Sequence, residues 1–138
     1  MALRSKLIVG AVVSSLFLGA LSVSAYSGKY SFTISYSIKG KTEHSLDNKS
    51  TSTDVTAQSY DYDYSSGYEG QKISSNKDNF TVSIIKGLFT EYSVSGIKAD
   101  GNSYSKNFGV VSKGDYVVKV TKNGGGSDFI DGIGYIKQ

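Results

Sequence analysis

The 138-residue chain has no cysteine, no proline and no tryptophan, and its one histidine is His44. Without cysteine there is no disulfide framework to hold a small core together. One histidine and no thiol leave a zinc site short of ligands. Arginine occurs once, at Arg4, so the planar, bidentate recognition of phosphate that arginine does best is unused beyond it. No nucleophile elbow marks any serine. Gly124-Gly125-Gly126 is followed by neither a Lys-Ser/Thr pair nor a helical pattern, so it is not a phosphate loop. A catalytic reading has no assembled parts, and a non-enzymatic protein is expected.

What is present begins with the N-terminus. Arg4 and Lys6 precede an uncharged apolar run from Leu7 to Leu21, which ends in Ser22-Val23-Ser24-Ala25. Cations, apolar centre and small-residue end are the three parts of a secretory leader. The run is about 15 residues, short of the roughly 20 needed to span a bilayer. We read residues 1–25 as a signal peptide and residues 26–138 as one domain, secreted and extracellular. Arg4 and Lys6 leave with the leader, which brings the formal charge of +3 close to neutral. A near-neutral domain lacks the electrostatic footprint of a nucleic-acid binder.

The rest of the chain is strand and turn. Gly114–Lys122 places Tyr116, Val118 and Val120 on one parity, between a Lys113-Gly114 turn and a run of glycines. It reads as the central strand. Tyr30–Ile38 alternates Tyr30, Phe32, Ile34, Tyr36 and Ile38 with serine and threonine, which predicts one half-buried strand of an antiparallel sheet. Lys39–Thr53 reads as a long loop, or as a loop with one short strand at Lys41–Leu46. Asp54–Tyr64 predicts another strand, with a bulge or a bend near Gln58-Ser59 where the apolar parity changes. Asn79–Lys86, Glu91–Lys98, Ser103–Val111 and Phe129–Ile136 follow at close spacing. Asp100-Gly101 predicts a hairpin turn, and Gly132 and Gly134 predict a bulge or a close backbone approach. Six to eight short strands at this spacing indicate an all-β, antiparallel β-sandwich, immunoglobulin-like or jelly-roll-like. The strand, turn and Gly-x-Tyr pattern around Tyr116 resembles the closing strands of bacterial immunoglobulin-like sandwiches. That resemblance covers the last third of the chain and implies fold, not activity.

Two residue types stand out as site candidates. Eleven tyrosines are many for this length. Tyr30, Tyr36, Tyr92, Tyr104 and Tyr116 alternate with polar residues and are expected to face the core. Tyr60, Tyr62, Tyr64 and Tyr68 lie among glycine, serine and acid with little aliphatic company. An exposed row of rings spaced two apart would form a platform on which sugars stack or a protein partner docks. Between them, Asp61 and Asp63 project to one face, and paired carboxylates suit calcium. The bland alternative is a charged edge face that deters strand addition. Asp128 and Asp131 form a second acidic pair of the same kind.

The sequence therefore points to a small secreted binding protein, expected to be a monomer, that recognises a cell-surface glycan or an extracellular protein. Calcium is the one cofactor its acids would suit. The alternating strands leave membrane contact open, so the competing reading is a membrane-active, toxin- or bacteriocin-like β-protein. A self-assembling matrix component is a third, since a free strand edge templates polymerisation.

Overall fold

A computed structural model describes residues 25–65 and 70–138. The expected leader lies outside these apart from Ala25. No helix occurs among the described residues, and ten strands make two antiparallel sheets packed face to face. The first sheet runs β1 (Ser27–Ile34), β10 (Phe129–Lys137), β4 (Ser50–Asp63), with β8 (Asp100–Val110) and β5 (Gly70–Ile73) sharing the far edge of β4. The second runs β9 (Gly114–Lys122), β6 (Asn79–Lys86), β7 (Thr90–Lys98), with β2 (Ser37–Lys39) and β3 (His44–Leu46) on the other edge of β9. This is the expected β-sandwich.

Alternation decides which side chains meet between the sheets. Tyr30, Phe32 and Ile34 of β1, Val55 and Ala57 of β4, and Ile130 and Ile136 of β10 face inward. Phe80, Val82 and Ile84 of β6 and Tyr116, Val118 and Val120 of β9 meet them. The Gly114–Lys122 strand has the bounds and the buried parity that its sequence predicts. The Tyr116 hydroxyl donates to the carbonyl of Ser112 at 2.6 Å. That bond pins the chain where it passes from β8 in one sheet to β9 in the other.

Three expectations, the Tyr30–Ile38 strand, the inward Tyr36 and the Asp100-Gly101 hairpin, are corrected where the chain changes sheets. The Tyr30–Ile38 pattern is two strands, not one. β1 ends at Ile34, the chain bends at Ser35-Tyr36, and β2 begins in the opposite sheet. Tyr36 sits on that bend and is 80% exposed, not core-facing. Asp100-Gly101 is not a hairpin turn: β7 and β8 lie in different sheets, and the chain crosses between them at buried Ala99. Ala99 donates its N–H to Asp78 and accepts from the N–H of Ser59, so the crossing is satisfied without a turn. The irregularity expected near Gln58 is present in the pairing of β4 with β8, whose register shifts between Thr56 and Gln58, while β4 stays in unbroken register with β10. The apolar residues change face there; the strand does not.

Gly132 and Gly134 mark a close approach. Phe32 and Tyr30 stand directly opposite them across β1 and β10. A Cβ on Gly132 would lie 2.4 Å from Phe32 Cζ, and one on Gly134 would lie 2.5 Å from Tyr30 Cζ. The rings lie over the bare backbone and fill the space that side chains would need.

Candidate functional site

The tyrosine strip forms because β4 outlasts the sandwich. Its inward residues are Thr51, Thr53, Val55, Ala57 and Ser59, all buried. Beyond Ser59 the second sheet no longer covers it, and the outward parity carries Tyr60 and Tyr62. Tyr60 stands in register with Phe129 of β10 on one side and Ile73 of β5 on the other. Residues directly opposite in a ladder share a face, so Ile73, Tyr60 and Phe129 make one apolar row. Tyr60 stacks on Phe129 with ring centroids 5.7 Å apart, and Tyr62 tilts onto the same ring at 5.0 Å. Phe129 is therefore buried although it points out of the sandwich.

Tyr62 and Tyr64 complete the strip. Their rings are 6.4 Å apart and only 23° from parallel. They are 45% and 62% exposed, and Ile73 beside them is 61% exposed. The result is an aromatic shelf with a buried phenylalanine beneath it and an open upper surface. Tyr68 and Glu69 lie outside the described residues. Ile73 and Phe129 were not legible as members, because only the β4–β5 and β4–β10 registers bring them to Tyr60.

The carboxylates of the strip take separate partners. Asp61 stands in register with Lys72. Asp63 accepts the backbone N–H of Ser65 at 3.0 Å, which closes the strand end as an aspartate turn. That N–H, with the Ser65 side chain, holds the Asp63 carboxyl below the usual range. Among the described residues, no three of His, Cys, Asp and Glu lie together as a metal set.

The second acidic pair is split. Asp131 is exposed on the outer face and accepts from the Thr33 hydroxyl at 2.9 Å. Asp128 is buried with Asp78 around Lys122, the last inward residue of β9. Lys122 Nζ donates to the Asp128 carbonyl at 2.5 Å and to Asp128 Oδ1 at 3.2 Å, and lies 3.4 Å from Asp78 Oδ2. The lysine ammonium fills the place a cation would take between these acids. Burial, then the neighbouring Asp128, raises the Asp78 carboxyl. Burial also opposes ionisation of Asp128, but hydrogen bonds with Asp78 and Lys122 outweigh it and hold that group low. The two carboxyls are thus pushed in opposite directions.

His44 is buried on β3, inside the polar segment Lys39–Thr53. Its inward position on β3 sets it against Tyr26, whose hydroxyl lies 2.8 Å from Nδ1. Among the described residues Nε2 has no hydrogen-bond partner. Burial lowers the imidazole's proton affinity. Comparison with protein-family models and with curated proteins finds no match to this chain.

Proposed function

We propose that the protein is exported and acts outside the cell as a non-catalytic binding module, with the Tyr60–Tyr64 shelf gripping a surface glycan. The observation that carries this reading is the near-parallel, exposed pair of Tyr62 and Tyr64, braced through Tyr62 by buried Phe129. Pyranose rings present a flat face of C–H groups, which stacks on aromatic rings, and tyrosine adds a polar tip for the sugar hydroxyls. Gln71, in register with Tyr62 and so on the same face, supplies a further hydrogen-bonding group. The bracing means that little side-chain freedom is lost on binding. His44, sealed against Tyr26, is poorly placed to act as a general base, which favours binding over catalysis.

The test is co-sedimentation of residues 26–138, which contain every described strand, with insoluble cell wall and with a plain insoluble polysaccharide. Pelleting is expected with one or both, and its loss is expected in Tyr62→Ala/Tyr64→Ala with the fold intact. Pelleting unchanged in that variant would sink the shelf as the site. A calcium chelator arm reads whether Asp61 and Asp63 take part.

One observation favours a second reading, the membrane-active one. The tip of the β6–β7 hairpin carries Leu88 and Phe89 at 90% and 96% exposure. Two apolar side chains on a convex turn fit a lipid interface, which needs no shape complementarity. Pelleting with liposomes alone, abolished by Phe89→Ser, would replace the glycan reading.

A further inference from the structure

The sandwich is open along one side. β1 is bonded to β10 along one edge only, and β2 and β3 form the facing edge of the other sheet. Between them lies a cleft of about 280 Å³. Tyr30 and Phe32 stand on one wall, Ile38 and His44 on the other, and Val118 and Val120 of β9 form the floor. The β1 wall is made by consecutive residues, Lys29 through Phe32. A strand lines a cleft with both parities only when it presents its backbone edge.

We infer that this cleft takes an extended polypeptide segment with apolar residues at alternate positions, which adds to β1 as a further strand. The argument rests on a comparison of the molecule's edges. Exposed strand edges are normally guarded by bulges, shortness or charge. On β7, Ser95 and Gly96 are squeezed out opposite Thr81, and Gly96 takes a φ of 71°. β8 shifts register twice against β4 and carries positive-φ glycines at 101 and 109. β5 has four residues, and β2 and β3 have three each. β1 alone among the described edges runs eight residues in continuous register with its neighbour, with Lys29 as its one charge. In such a strand alternate N–H and C=O groups turn away from the partner already bound.

The floor says what the segment carries. Main-chain bonds supply affinity in strand addition, and pockets for alternate side chains supply specificity. Here the pocket is apolar, with Val118, Val120 and the inner parity of β1 beneath the mouth. The cleft ends at His44, held through Nδ1 by Tyr26, with the unpartnered Nε2 as its one buried polar group in want of a partner. This site is separate from the tyrosine shelf, which lies on the outer face at the other edge of the same sheet.

The experiment is an NMR titration of isotope-labelled residues 26–138 with a peptide of about ten residues, valine alternating with threonine between terminal glutamates. We expect amide shifts along Lys29–Ile34, at Val118 and Val120, and at His44. A fully N-methylated version of the peptide, which cannot donate to a ladder, should not bind. Ile38→Lys places a charge at the half-exposed lip and should weaken binding about tenfold, the equivalent of losing part of one apolar contact. The inference is overturned by silence at β1 at about 1 mM peptide. It is equally overturned by shifts confined to β7, β8 or the tyrosines, or by equal binding of the methylated peptide.

Discussion

Replacing Lys122 by methionine should destabilise the fold by about 3–5 kcal/mol at neutral pH, the range for breaking a buried ion pair by removing one partner. The size follows from burial. The Lys122 and Asp128 side chains are 1% and 3% exposed, and Asp78 is 11% exposed. Among the described residues neither Asp78 Oδ2 nor Asp128 Oδ2 accepts a hydrogen bond, and Asn76 Nδ2 reaches each Oδ1 only at 3.3 Å, so the ammonium is the main compensation both acids have. Methionine keeps the volume and removes the charge. For a domain of this size the loss corresponds to a Tm lower by roughly 12–20 °C.

The pH dependence separates this account from simple loss of packing. In the wild type the two acids pull in opposite directions. Asp128, held low, contributes stability above the ordinary carboxylate pKa and loses it as pH falls through its folded value. Asp78, held high, contributes most below the ordinary value and loses its contribution as pH rises through its folded one. Without Lys122, Asp128 loses its ion pair and its hydrogen bond to the ammonium, so burial weighs more heavily on both carboxyls and both shift upward. The variant's deficit should therefore be largest near pH 7 and shrink toward about pH 3, where both acids are neutral. Urea unfolding followed by tyrosine fluorescence and far-ultraviolet dichroism reads this without tryptophan. Lys122→Met/Asp78→Asn/Asp128→Asn should recover much of the loss at pH 7. A deficit below about 1 kcal/mol, the level of a surface pair, or one that stays constant from neutral to acid, would refute the reasoning.

Gly134→Ala should cost about 1–3 kcal/mol, as overpacking does: the new methyl would meet the Tyr30 ring at 2.5 Å and push its hydroxyl off Thr53 Oγ1, now 2.7 Å away. A neutral urea midpoint would show that the ring is free to move aside. His44 has its proton affinity lowered by burial, so its contribution is complete above the ordinary pKa of 6.5 and is lost as pH falls through the lower folded value. Unfolding midpoints should accordingly fall on acidification below about pH 6.5, and His44→Asn should remove that part of the slope; an unchanged slope would assign it to the carboxylates.

What the sequence carries is alternation, and alternation specifies faces better than partners. Gly114–Lys122 could be read to the residue because its turns, its parity and its burial agree. Tyr30–Ile38 has equally regular alternation but spans a change of sheet, and nothing in a period of two records which sheet a residue faces. Asp100-Gly101 has the chemistry of a tight turn, yet the same positive φ at Gly101 serves the start of β8. The tyrosine shelf was half legible for the same reason. Tyr60, Tyr62 and Tyr64 announce themselves by composition, whereas Phe129 and Ile73 join them only through strand register. Lys122 shows the limit most clearly. As the last inward residue of a strand whose pattern assigns that parity to the core, it should have been an anomaly to explain. A lysine on the buried parity requires acids nearby, and Asp128 is six residues away across the glycine turn. Read that way, the glycines are there to fold the chain back on its own cation, and the acids that look like a metal site already hold one.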